Sequence, residues 1–172
     1  MSPALEKAMK LAVLSGLKAT LGPAFLKTAQ RKPDAGHWVA AALAEMAVDK
    51  VGFVPSRRSL PVLIPHALSG AWVAMESVRE DGADEPMAAP IGAVVAAGVA
   101  TLAPMIRYTG SRILGIPDPL LGVAEDYLAI RLGAETLGLS LDEVGDAAKQ
   151  SVEEIKERVL PQQGQSIGAG SM

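Results

Sequence analysis

The chain has no cysteine, only six aromatic residues and only two histidines. The missing thiols exclude disulfides, iron–sulfur clusters and thiolate zinc sites, and leave the redox compartment undecided. So few aromatics deprive a water-driven core of its largest apolar groups. His37 and His66 stand 29 positions apart with no second nitrogen ligand at metal-binding spacing, so each reads as a helix-end or core histidine. No His-Glu-x-x-His zinc helix, P-loop or dinucleotide fingerprint occurs, so no catalytic residue and no cofactor is assigned and the chain is not read as an enzyme. A net charge of −3 provides no electrostatic basis for binding nucleic acid.

What the chain does have is small apolar side chains. Of its 172 residues 49% are hydrophobic, 29 are alanine and 17 glycine. That composition suits helices that approach one another closely. It also buries enough apolar surface to exclude a disordered tail. One domain is expected at this length.

The first ten residues lack the ordered basic, apolar and small-residue regions of a cleavable signal peptide. Ser2-Pro3 reads as a helix start. A helical pattern then runs from residue 4 to about 29, with Lys7, Lys10 and Lys18 on one wet face opposite a Leu/Ala/Val face. Gly22-Pro23 should kink or break it. Asp34 is the expected N-cap of a second helix over 37–51. Residues 59–75 carry no charge, with Pro61 and Pro65 shortening their helical part, and 76–85 form an acidic loop.

Residues 86–106 are 21 in a row without a charge, close to the roughly 20 needed to cross a bilayer core. Gly92, Ala96 and Gly98 would admit a neighbouring helix. Residues 107–117 form a basic connection, and Asp118-Pro119 opens a helix running to about 137. Ser140-Leu-Asp-Glu143 is a capping box. It starts an amphipathic helix with Leu141, Val144, Ala148, Val152, Ile155 and Val159 on its apolar face, ending at Pro161. The expected organisation is a membrane helix bundle over 1–139, a water-soluble helix over 140–160 lying outside the membrane, and a flexible tail over 161–172. The fold class is all-α, with four or five hydrophobic helices packed through Ala and Gly.

The chain also echoes itself. Ala19-Thr-Leu-Gly-Pro23 recurs as Ala100-Thr-Leu-Ala-Pro104, an offset of 81, and Ala44-Glu45 recurs as Ala124-Glu125, an offset of 80. Chance supplies short matches in an Ala-rich chain. A true duplication with three crossings before the second copy would make an inverted repeat, a common transporter plan with polar sites at the repeat interface. Glu45 and Asp49 share a helix face with Lys50 beside them, and Glu125 and Asp126 hold the corresponding place in the second half. Arg131 and Glu135 form an i,i+4 pair. In a membrane these charges are costly unless paired or wetted, so they are the candidate polar site: a cluster that binds a cation, moves a proton or contacts a polar substrate. The competing reading makes them structural pairs at short helix ends. Arg57 and Arg58 read as interfacial anchors, or as an anion-binding pair.

The run from Ala44 through Glu45, Asp49, Lys50, Pro55, Ser56 and Arg57, followed by Pro61 and by Ser69-Gly-Ala71, resembles the bacterial family called domain of unknown function 4126. Val48 departs from the usual alanine. Pro117-Asp-Pro119 with Glu125-Asp126 resembles the family's C-terminal half, and the likeness covers about residues 14–137. It implies a small multi-pass protein of the bacterial inner (cytoplasmic) membrane and brings no established activity.

Three functional readings follow. The leading one is an integral membrane protein with a permease-like or channel-like role, built around the two acidic clusters. The second is an accessory or structural subunit of a larger membrane complex, with the same charges as interhelix clamps. The third is a soluble helical bundle that binds lipid. The expected partners are the lipid bilayer and either larger complex subunits or further copies of the chain.

Overall fold

The computed structural model describes residues 1–50 and 60–159, which form seven helices and no strand. They are α1 (Pro3–Leu17), α2 (Leu21–Ala29), α3 (Ala35–Val48), α4 (Leu60–Glu80), α5 (Ala88–Leu114), α6 (Asp118–Leu137) and α7 (Leu141–Val159). The expected tail over 161–172 lies outside the described residues.

The helical stretch expected over 4–29 is broken, as Gly22-Pro23 led one to expect, but the break lies upstream of that pair. Pro23 has no amide to offer the carbonyl of Ala19, and its ring would crowd that carbonyl. The chain therefore leaves the helix one turn upstream, with Lys18 extended at φ −140° and ψ 126°, and restarts at Leu21. Gly22 and Pro23 end up inside the first turn of α2. The wet lysine face is corrected as well. Lys7 and Lys10 do pair near the surface, with Asp81 at 2.8 Å and Glu6 at 2.6 Å. Lys18 has left the helical wheel and is only 1% exposed.

Other boundaries move for similar reasons. α3 stops at Val48, three residues short of expectation, and Asp34 makes no side-chain capping bond. It pairs instead with Lys27 at 3.0 Å and accepts from Trp38 Nε1 at 3.3 Å. α4 tolerates both prolines: Pro61 sits in its first turn, and the bond missing at Pro65 falls on the carbonyl of Pro61. The helix continues to Glu80, so half of the expected acidic loop is helical. α5 passes through Pro104 and through Arg107 to Leu114, absorbing most of the expected basic connection, and ends on Gly115 in the left-handed conformation. α6 opens at Asp118, with Pro117 in the N-cap position.

α1, α4 and α5 pack together through small residues. A Cβ on Gly70 would lie 2.3 Å from Ala96 Cβ and 2.5 Å from the Gly92 carbonyl oxygen, and one on Gly92 would lie 2.5 Å from the Gly70 oxygen. A Cβ on Gly16 would meet Val99 Cβ at 2.5 Å. Gly98, expected at such a contact, faces open space. Gly92→Ala is therefore expected to cost about 1–3 kcal/mol by forcing two backbones apart. Gly98→Ala should be neutral or stabilising by up to about 1 kcal/mol from helix propensity. Thermal unfolding of the two variants checks the contrast.

α2, α3, α6 and α7 gather around Phe25, whose ring packs on Gly133, and around Leu21, Leu26, Ala42 and Met46. Trp38 stacks on Trp72 with centroids 6.2 Å apart. α7 lies mainly on α3, and Val144 joins this core. An apolar cavity of about 70 Å³ remains between α2, α3, α6 and α7.

The capping box forms as expected. Glu143 N donates to Ser140 Oγ at 3.1 Å, and Ser140 N donates to Glu143 Oε2 at 2.7 Å. These bonds from Ser140 hold the Glu143 carboxyl below its ordinary 4.5. A lowered folded-state value stabilises above 4.5, and that contribution disappears as pH falls through the folded value. Ser140→Ala should cost α7 about 1 kcal/mol. It should also flatten the acid limb of α7 fraying, as read by amide exchange.

Of the four or five hydrophobic helices expected, α5 alone among the described residues is long and apolar enough to cross a membrane. α1, α2 and α3 have 15, 9 and 14 residues, and α6 carries Asp118, Glu125, Asp126, Arg131 and Glu135. At an offset of 81, α4 falls on α7, whereas α1–α2 falls four residues short of α5 and α3 ends eight residues before α6 does. The packing does not follow that alignment: α4 lies against α5 and α1, whereas α7 lies against α3.

Candidate functional site

The break between α1 and α2 creates the site. An extended backbone at Lys18 turns its side chain inward, and an ammonium removed from water must find carboxylates. Lys18 Nζ lies 3.1 Å from Asp49 Oδ2, 3.3 Å from Glu125 Oε1 and 3.2 Å from Asp126 Oδ1. Asp49 is the C-cap of α3, while Glu125 and Asp126 are on α6. Side-chain exposures of 7%, 16% and 10% place all three carboxylates in a low-dielectric setting.

Two further cations complete the network. Lys50, one residue past the α3 cap, pairs with Asp126 Oδ2 and donates to the Met46 carbonyl at 3.0 Å. Arg107 on α5 donates from Nη1 to Asp49 Oδ2 at 3.0 Å and from Nε to Asp118 Oδ1 at 2.9 Å. Gly122 makes room for it, since a Cβ there would be 3.3 Å from Nη1. Asp126 Oδ1 is buried and takes no hydrogen bond, although Lys18 is in ion-pair range. The ammonium directs its hydrogen bonds to Asp49 and Glu125, so that contact is electrostatic only.

Glu45 does something different. Its carboxylate accepts from Ala19 N at 2.9 Å, Thr20 N at 3.1 Å and Thr20 Oγ1 at 2.7 Å. These are the amides freed by the helix break, so Glu45 caps the start of α2. The expected acidic clusters therefore meet at Lys18 through Asp49, Lys50, Glu125 and Asp126. Glu45 stands on the backbone side of the same turn, outside the ion network. Arg57 and Arg58 lie outside the described residues. Arg131 and Glu135 are an exposed pair at 2.8 Å, away from the site. His37 Nε2 accepts from Arg158 Nη1 at 3.0 Å, and His66, 3% exposed, places Nδ1 2.7 Å from the Ser15 carbonyl oxygen.

Three members were missed in the sequence: Lys18, Arg107 and Asp118. Lys18 directly precedes the Ala19–Pro23 break, and Arg107 is the first charge after 21 uncharged residues. Each carried a positional signal, but neither signal named a partner.

Chemically, one ammonium shared by three carboxylates is a charge-paired centre held between three helices. The network also joins α1 and α3 of the first half to α5 and α6 of the second. On its outer side, a groove of about 490 Å³ between α5 and α6 reaches Arg107 and Glu125. No protein-family model, curated protein or solved structure matches the chain.

Proposed function

We propose that the chain is a small, multi-pass integral membrane protein of the bacterial inner membrane with a permease-like or channel-like role, worked by the Lys18 network. The observation that carries the membrane part is the outward face of α5. The helix has 27 residues, yet only 17% of its most apolar window is buried in the protein. A core helix of a soluble protein would be mostly buried. Val94, Leu102, Ile106 and Ile113 instead present large apolar groups outward, joined by Ile64 and Leu68 on α4 and Val123 and Leu128 on α6. Hydrocarbon is the medium that covers such a surface without cost. The resemblance carried by Glu45, Asp49, Lys50, Ser69 and Gly70 points the same way.

In this reading the buried charges are the working part, because ionised groups at membrane depth mark ion and proton paths. Retention in the membrane after a carbonate wash, without detergent, tests insertion. Proton or cation flux into proteoliposomes, compared with Glu125→Gln, tests the role. Recovery in the soluble fraction would remove the membrane reading and leave a lipid-binding bundle. A membrane-resident chain without flux would remove the permease-like role.

A second reading, that of an accessory subunit, is favoured by the network's internal pairing. Lys18, Lys50 and Arg107 engage all four carboxylates, as clamps between helices would. Co-purification at fixed stoichiometry with larger membrane subunits would select it.

A further inference from the structure

The α5–α6 groove differs from the rest of the apolar surface in having two charged side chains among its walls. Its walls are Leu17, Ile106, Leu114, Leu121, Leu128 and Leu132, and its volume of about 490 Å³ falls within the range of small-ligand sites, about 300–1,000 Å³. Among its walls, flanked on both sides by apolar residues, Arg107 Nη1 and Glu125 Oε2 face each other at 4.0 Å. That separation is too long for a hydrogen bond. Glu125 Oε2 takes no hydrogen bond among the described residues, because Lys18 binds the other oxygen, Oε1.

We propose that this groove binds one long-chain neutral amphiphile by its hydroxyl head group. A single oxygen can lie about 2.8 Å from both facing atoms, donating its proton to Glu125 Oε2 and accepting from Arg107. Charge selects a neutral head. Glu125 already has Lys18 at 3.3 Å, and Arg107 already has Asp49 at 3.0 Å and Asp118 at 2.9 Å. An ammonium head would confront the Arg107 guanidinium at close range, and a carboxylate head would confront Glu125, so only a head that both donates and accepts without charge suits the two atoms together. The alkyl tail lies along the leucines of the groove wall. This site goes beyond the transport reading and does not depend on it, since the groove belongs to the chain whether or not it crosses a bilayer.

The test uses the full chain, in nanodiscs where a carbonate wash retains it in membranes and in buffer where it does not, with a diazirine-bearing dodecanol analogue as photolabel. Adducts should concentrate on Leu114, Leu121 and Leu128. Excess dodecanol should compete for them about tenfold better than dodecylamine or dodecanoate, the worth of one hydrogen bond to a charged group. Gly110→Leu should abolish the adducts by filling the groove. A Cβ at Gly110 would meet only Leu121, at 3.8 Å, so the helix accommodates that change. Glu125→Gln should erase the preference for the alcohol. Equal labelling of Val94 and Ile113, insensitive to Gly110→Leu, would mean bulk lipid contact and overturn the site. Equal competition by the three dodecyl compounds would mean that the head-group contact does not exist and that a water bridges Arg107 and Glu125. A carbonate wash of the source membranes reports separately on insertion, so the two readings can fail independently.

Discussion

Replacing Lys18 with methionine is expected to destabilise the protein by about 3–5 kcal/mol, the range for removing one partner of a buried ion pair. The size follows from what is left behind. Lys18 is 1% exposed and is in ion-pair range of Asp49, Glu125 and Asp126, all of them nearly buried. Without it, Asp126 retains Lys50, and Asp49 retains Arg107. Glu125 is reduced to Arg107 at 4.0 Å. Three carboxylates then repel one another in a setting where water screens poorly. Methionine has similar length and no charge, so the loss measures electrostatics rather than a cavity. Adding Glu125→Gln to Lys18→Met should recover part of the stability, because it removes the carboxylate with the weakest remaining partner. Denaturant unfolding in mild detergent measures both. A loss under about 1 kcal/mol for Lys18→Met would place the network in contact with water and remove its role as a buried site.

Val94→Arg is expected to lower membrane insertion by about 2.5–3.5 kcal/mol, the cost of an arginine near the centre of a span. Val94 is 72% exposed on α5 and touches no other helix closely enough to be buried. In a protein surrounded by water the same change would be a surface substitution worth about 0.5 kcal/mol or less. The two environments thus differ several-fold in their response to one residue. Membrane yield and protease protection of α5 provide the readout. Ala96→Arg would not discriminate, since Ala96 is fully buried against Gly70, and an arginine there would disrupt α4–α5 packing in any solvent.

Legibility followed the range of the interactions. The Ser140–Glu143 box was readable because its bonds span three residues. The apolar run within α5 was readable because length and hydropathy are local properties. Gly92 and Ala96 were readable as small residues, but Gly98 carried the same signal and faces open space. A helix has several faces, and composition alone does not choose the one that a neighbour covers.

The clearest case is the repeated pentapeptide. Ala19-Thr-Leu-Gly-Pro23 and Ala100-Thr-Leu-Ala-Pro104 carry the same proline signal, and each removes one helical hydrogen bond. At the first copy the helix breaks, and the Glu45 carboxylate accepts the freed amides of Ala19 and Thr20. At the second copy α5 continues, with Ala100 fully buried and Thr101 Oγ1 bonded back to the Ala97 carbonyl at 2.8 Å. By itself the sequence determined that the chain is helical, where its capped helix begins, which stretch is long and apolar enough to span a bilayer, and that Asp49, Lys50, Glu125 and Asp126 are its conspicuous charges. Only the tertiary structure decided that Lys18 stands at their centre, that Arg107 closes the network and that Glu45 caps a helix instead. The reason is physical: a charge's partners come from helices 31 and 107 positions away, and a local pattern carries no record of which of them will meet.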